Sequence, residues 1–289
     1  MKRRGLSHAA PGKIILLGEH SVVYGHRAIA AAVELTTRVT LEPHDGPTWL
    51  RDSFLRDARL DQAIAHALPS TGWAVDIGTD LPVGRGMGSS AALSIALVRA
   101  AAAVRGENLD FEEEHRRGFD LERIFHGNPS GLDHAVSALG GAVVYRRGEA
   151  PLPIDMPRIP VVVLDTGVAG DTAALVAGVA ARRPGIDESL DRLGALVEEA
   201  LPALGDAQAL GQAMNEAQHH LEQIGVSNPG IEELVRLARK HGALGAKLSG
   251  AGGGGIVVAL TPDGGDGLLH AARRRDIPAL ASVLPAGSS

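Results

Sequence analysis

Residues 81–104, LPVGRGMGSSAALSIALVRAAAAV, restrict the fold more than any other stretch of the chain. Gly84, Gly86 and Gly88 are followed at once by two hydroxyls, Ser89 and Ser90, and then by an unbroken Ala- and Leu-rich segment of high helix propensity. Glycine reaches positive φ without steric cost, so consecutive N–H groups in such a run can converge on an anion. A helix beyond it aims its unsatisfied N–H groups and the positive end of its dipole at the same point. Ser90, in the first helical turn, offers an oxygen suited to a magnesium ion bridging phosphates. The run is not a Walker A loop, since it lacks the GK[ST] ending and contains no lysine. Taken alone it is equally compatible with a plain turn.

Its surroundings favour the phosphate reading. Residues 73–78, WAVDIG, read as a strand with Trp73, Val75 and Ile77 on one face, and strand, glycine loop, helix is the order that a phosphate loop needs. Near the start, KIILLGEHSVVYG (13–25) reads as a strand, a turn and a second strand at 22–24. Lys13 stands at the strand entrance, with Glu19 and His20 in the turn; on these residues alone, a solvated strand end and a turn hydrogen-bonder remain open. Residues 28–43 continue as one or two strands. Between 44 and 71, Leu50, Phe54, Leu55, Leu60, Ile64 and Leu68 recur at helical spacing, which predicts a helix or a loop.

Beyond the alanine-rich helix, a helical stretch through FDLERIF ends at Gly127, and Pro129 forbids its continuation. Ser130 can then cap a short helix with Asp133 in its first turn. Glu122 and Asp133 can thus face one site from different elements, although a surface acid and a second cap are open alternatives. Prolines at 151, 153, 157 and 160 exclude helix and central strand and mark a boundary, giving domains of 1–155 and 156–289. VVVLDTG (161–167) reads as a buried strand, followed by amphipathic helices at 172–181, 187–204, 207–224 and 229–241. A second glycine run, 250–255, leads into the strand IVVAL and is expected to be a tight loop lining a cleft, while the tail 285–289 is expected to fray.

Composition narrows the function classes. The 289 residues are 45% hydrophobic and 21% charged with 37 glycines, which suits a loop-rich α/β protein. A net charge of −6 argues against nucleic acid as the main partner. Without cysteine there is no disulfide, thiol catalysis or thiolate-bound metal. No run approaches about 18 apolar residues, and the opening segment stops short of a signal peptide, so no membrane association and a cytoplasmic location are expected.

Three motifs, PGKIILLGEHSVVYG, LPVGRGMGSSAA and KLSGAGGGG, occur in an order and spacing that resemble the GHMP kinases, the superfamily of galactokinase, homoserine, mevalonate and phosphomevalonate kinases. GEHSVVYG and ERIFHGNPSGLD are most similar to the branch that phosphorylates mevalonate. The resemblance implies a two-domain α+β (mixed α/β) fold, with an N-terminal ribosomal-protein-S5-like domain, a C-terminal ferredoxin-like domain and the active site between them. It implies ATP as phosphoryl donor, Mg²⁺ as cofactor, mevalonate as acceptor and a homodimer as an assembly to expect. By position, it implies a phosphate loop at Gly84, Gly86, Gly88, Ser89, Ser90 and Ala91, with metal ligands Ser90 and Glu122. Asp133 is implied as catalytic base with Lys13 beside the chemistry, and Glu19 and His20 as acceptor-site residues. Another GHMP small-molecule kinase and a non-catalytic ligand sensor of the same fold are the alternatives. The chain departs from the family at Arg85 and Met87, where small and leucine residues are common, and at Gly170, where many mevalonate-phosphorylating members carry arginine.

Overall fold

Glycine and proline divide the chain into alternating strands and helices. The computed structural model describes residues 4–51, 57–126 and 131–286. In order, the elements are β1 (Leu6–Leu17), a 3-10 helix (Ser21–Tyr24), β2 (Arg27–Pro47), β3 (Trp49–Leu50), α1 (Ala58–Ala67), β4 (Thr71–Thr79), α2 (Ser89–Arg105), α3 (Phe111–His126) and α4 (Leu132–Leu139). Then follow β5 (Ala142–Arg146), β6 (Leu152–Ile154), β7 (Ile159–Asp165), α5 (Thr172–Arg182), α6 (Asp187–Ala200), α7 (Ala207–Gln223) and α8 (Pro229–Lys240). β8 (Gly245–Ser249), β9 (Ile256–Leu260), α9 (Asp266–Arg273) and β10 (Ala279–Leu284) complete the chain. The expected mixed α+β class holds. Two compact units interleave along it.

The first unit comprises Met1–Gly12, Leu35–Pro82 and Gly88–Gly140. Its sheet pairs the far half of β2 antiparallel with β4, from Thr37 opposite Thr79 to Pro43 opposite Trp73, and β3 lies parallel to β4. Trp73, Val75 and Ile77 are buried in one apolar cluster with Leu60, Ile64, Leu93 and Leu97. α2 is buried on nearly every face from Ala91 to Val98, as a helix packed on several sides must be, and its alanines let α3 and α4 come close. Truncating a core leucine such as Leu97 to alanine costs about 2–5 kcal/mol. Arg99 completes this packing, its guanidinium holding Glu114 of α3 at 2.9 Å, the Ala9 carbonyl at 2.9 Å and the Ala138 carbonyl at 2.8 Å.

The second unit comprises Lys13–Glu34, Val83–Met87 and Gly141–Ser289. Here the near half of β2 pairs with β5, and β5 with β6. A separate antiparallel sheet has the order β10-β7-β9-β8, which is the 4-1-3-2 arrangement of a ferredoxin-like domain. α7 and α8 cover β8, and α9 packs on β7 and β10. β8 is an edge strand, and α7 satisfies its outer backbone. Asn215 donates to the Leu244 carbonyl at 2.9 Å and accepts from Ala246 N at 3.1 Å, while Gln218 accepts from Leu248 N at 2.9 Å. Aspartate and asparagine N-caps start α5, α7 and α8 at Asp171, Asp206 and Asn228.

Three local expectations are corrected. Residues 22–24 form part of a 3-10 helix rather than a strand, because Gly18 and Gly25 bracket the segment and Val22 N bonds back to the Gly18 carbonyl at 3.1 Å. Pro160 does lie in an inner strand, β7, where its missing N–H is tolerated at the second position and its carbonyl still accepts from Thr261 at 3.0 Å; Pro153 sits on the edge strand β6. The tail does not fray at once, since Ala286 N bonds to the Ala32 carbonyl at 2.8 Å. Phe54, Leu55, Gly127, Pro129, Ser130 and residues 287–289 lie outside the described residues.

Candidate functional site

The glycine run is shared between the units, Val83–Met87 belonging to the second and Gly88 onward to the first. Gly84, Gly86 and Gly88 have φ of 72°, 83° and 70°, the left-handed values that the run was expected to need. Gly88 is the N-cap of α2, and no side chain caps this helix. The N–H groups of Ser89, Ser90 and Ala91, in the first turn, have no acceptor within the helix, and a helix end of this kind is suited to an anion.

In the first unit, Ser90 Oγ donates to Glu122 Oε1 at 2.8 Å, and Ser94 Oγ donates to Oε2 at 3.1 Å. Glu122 is 3% exposed, so both carboxylate oxygens are held by hydroxyls away from bulk water. His126 Nε2 stands 3.0 Å from Ser90 Oγ. Since the one Ser90 hydroxyl proton goes to Glu122, the imidazole Nε2–H donates to Ser90. Burial lowers the His126 pKa, opposed by the Asp133 carboxylate. Asp133 lies in the first turn of α4, half-buried, behind Gly131 as N-cap. Ser94 and His126 were not singled out in the sequence, although each stands four residues from a predicted ligand and hence on the same helix face.

In the second unit, β1 carries Lys13, which is 3% exposed and donates from Nζ to the Gly86 carbonyl at 3.0 Å, while its backbone N donates to the Met87 carbonyl at 2.9 Å. Met87, one of the departures from the family pattern, is fully buried and serves as an apolar anchor. Arg85, the other, pairs with Asp165 at 3.2 Å. Glu19 and His20 are both buried in the turn after β1. His20 has φ 58°, a conformation that side-chain-bearing residues adopt at a cost of roughly 1–3 kcal/mol. It is held there by Nε2 at 2.9 Å from the Ala251 carbonyl in the second glycine run. A carbonyl only accepts, so Nε2 carries the proton and Nδ1 of the neutral ring is an acceptor. Burial lowers the His20 pKa, against the hydrogen bond to Ala251, which raises it, and Arg182 adds to the lowering.

Glu19 pairs with Lys247 of β8, and Lys247 Nζ also donates to the Leu248 carbonyl at 2.7 Å. Burial pushes the Glu19 carboxyl up and the Lys247 ammonium down, each countered by the charge of the other. Ser249 adds two bonds to β1, accepting from Ile15 N at 2.9 Å and donating to the Ile15 carbonyl at 3.1 Å. Lys247 and Ser249 lie in the third motif, and their pairing across more than 220 residues carried no signal in the sequence. At Gly170 a Cβ would stand 2.2 Å from the Gly252 carbonyl oxygen, so the backbone as folded leaves no room for a side chain there.

Magnesium favours hard oxygen donors and retains waters, and Ser90 with Glu122 supplies one hydroxyl and one carboxylate. Among the described residues there is no group of three or more His, Asp or Glu side chains that would form a cage for a metal. The donor set thus fits an ion coordinated mainly by phosphates and water. Among the described residues no helix is long and apolar enough to cross a membrane.

Residues 56–141 match the GHMP kinases N terminal domain, and residues 197–277 match the GHMP kinases C terminal domain. A protein of Pyrococcus horikoshii named mevalonate kinase is 37% identical over 88% of this chain and 88% of its own. One of the same name from Aeropyrum pernix is 36% identical, covering 91% and 90%. The crystal structure of L. major mevalonate kinase in complex with R-mevalonate superposes with a TM-score of 0.86 at 31% identity, over 98% of this chain and 97% of that one.

Proposed function

Because the chain belongs to the GHMP kinase family, we propose that it transfers the γ-phosphoryl group of ATP to the primary hydroxyl of mevalonate, giving 5-phosphomevalonate and ADP. One observation carries the reading. Ser90, at the open end of α2 directly after the glycine run, and Glu122 on α3 hold each other at 2.8 Å, in a chain whose relatives bear the mevalonate kinase name.

Phosphoryl transfer asks the protein chiefly for alignment and charge stabilisation. The amides of Gly88, Ser89, Ser90 and Ala91 would bind phosphate oxygens, aided by the dipole of α2. Ser90 and Glu122 would hold Mg²⁺, which would offset the negative charge of the phosphates. Asp133 would orient the acceptor hydroxyl and accept its proton, and Lys13 would stabilise the transferring phosphoryl group. Glu19 and His20 would shape the acceptor pocket, with Nδ1 of His20 as a hydrogen-bond acceptor for an acceptor hydroxyl.

The same reading sets the boundary of the two family domains at 155/156, in the interval between residue 141, where one match ends, and residue 197, where the other begins. It assigns the reaction to the cytoplasm, where ATP is the available donor, and a homodimer as its assembly.

The test is ADP release, followed by a coupled assay with MgATP, across mevalonate, 5-phosphomevalonate, homoserine and galactose. Saturable turnover confined to mevalonate supports the reading. Turnover confined to another acceptor would refute the substrate and retain the reaction class.

A further inference from the structure

Arg85 occupies the centre of the glycine run, between Gly84 and Gly86, both at positive φ. Its guanidinium does not point out to solvent. Nε lies 3.2 Å from Asp165 Oδ2, with the two side chains 23% and 15% exposed. Asp165 is the last residue of β7, an inner strand of the four-stranded sheet. Its other oxygen, Oδ1, accepts from Gly167 N at 2.8 Å, and its backbone N donates to the Pro278 carbonyl at 2.9 Å. One carboxylate therefore fixes the turn after β7 and the glycine run together. The adjoining Thr166 extends the connection, its backbone N and Oγ1 each donating to the Gly255 carbonyl at 2.9 Å.

A run this rich in glycine loses much conformational entropy on ordering. Lys13 secures its back half at Gly86 and Met87. The front half has no apolar anchor, since Val83 is 41% exposed and Gly84 is exposed. We propose that Arg85 and Asp165 are positioning residues for the nucleotide: their ion pair clamps the front half of the phosphate loop to the end of β7, so that the loop is ordered before ATP arrives. The guanidinium acts through Asp165 and not as a phosphate ligand. The proposal rests on the phosphate-loop reading given above.

The two roles differ in the sign of one effect. Asn at 165 keeps the acceptor for Gly167 but removes the charge. If the pair is a clamp, Asp165→Asn weakens nucleotide binding as Arg85→Ala does. If Arg85 is a phosphate ligand that Asp165 partly neutralises, Asp165→Asn leaves binding unchanged or strengthens it.

The experiment titrates a fluorescent ATP analogue with Mg²⁺ into the wild type, Arg85→Ala, Asp165→Asn and the double variant, each confirmed as folded by its melting curve. Arg85→Gln replaces Arg85→Ala should the latter unfold. The clamp predicts that each single change raises Kd about three- to tenfold, that the double variant is no weaker than the weaker single, and that KM for mevalonate is unchanged. An unchanged or lowered Kd in Asp165→Asn, or single effects that multiply in the double variant, overturns it. A wild type that binds the analogue but leaves mevalonate untouched contradicts the proposed function and not the clamp, which is read from binding alone.

Discussion

Lys247 and Glu19 form an ion pair with 0% and 1% of their side chains exposed, joining the third motif to the turn that carries His20. Removing one partner leaves an uncompensated buried charge. Lys247→Met is expected to destabilise the protein by about 3–5 kcal/mol, and Glu19→Gln combined with Lys247→Met to recover most of that loss. Urea unfolding checks this, and a shift below about 1 kcal/mol in Lys247→Met would show that the pair is not structurally coupled.

Ser90 and Ser94 each donate to one oxygen of Glu122, but only Ser90 stands at the open end of α2. Ser90→Ala is expected to lower kcat by about a hundredfold or more, through loss of a ligand that acts on the transferring group. Ser94→Ala is expected to raise the Mg²⁺ concentration for half-maximal rate by about tenfold, because Ser94 only orients the carboxylate. Magnesium titrations of the two variants separate these effects. Equal behaviour of both would remove the distinction.

The contrast between these two pairs shows what a sequence can convey. Ser90 and Glu122 were legible only through the family resemblance, which implies both at one metal site; on the residues alone Glu122 is equally a surface acid of its helix. Lys247–Glu19 and Arg85–Asp165 were not legible, because their partners come from distant elements and nothing local to either residue marks the pairing. The helices from α5 to α8 could be read from apolar periodicity and from caps such as Asp171 and Asn228. At residues 22–24, Val22 and Val23 favour a strand, whereas Gly18 and the Ser21 hydroxyl, which donates to the Gly18 carbonyl at 3.2 Å, fold the segment back. Close approaches such as that of Asn215 to the edge of β8 depend on tertiary geometry and leave no local pattern.

His134 is fully buried between His115 and Phe119, with ring centroids 4.6 Å and 5.3 Å away, and neither ring nitrogen has a hydrogen-bond partner among the described residues. Burial, and secondarily His115, pulls its pKa down from 6.5 to about 3. Between these values the unfolded chain binds a proton that the folded chain refuses, so stability falls as pH falls, with a slope approaching about 1.4 kcal/mol per pH unit. His134→Phe keeps the ring stack and is expected to flatten the dependence of unfolding free energy between pH 6 and pH 4. The same slope in both proteins would assign the acid sensitivity to other groups.

Gly170 is required by contact and not by φ. A Cβ there would stand 2.2 Å from the Gly252 carbonyl oxygen, whereas at Gly205 it would meet nothing within 4 Å. Gly170→Ala is expected to cost about 1–3 kcal/mol and Gly205→Ala about zero. Thermal melts of the two variants test this; matching melting temperatures would mean that the turn can relax.

The proposed reaction is defined by the acceptor atom that receives the phosphoryl group and by the part that Asp133 plays. The most direct measurement is phosphorus NMR of the product formed from mevalonate and MgATP, with Asp133→Asn run in parallel. The expected product is a phosphate monoester coupled to the C5 methylene protons, with loss of that resonance in the variant. A monoester without such coupling, free phosphate alone, or undiminished product from Asp133→Asn would contradict it.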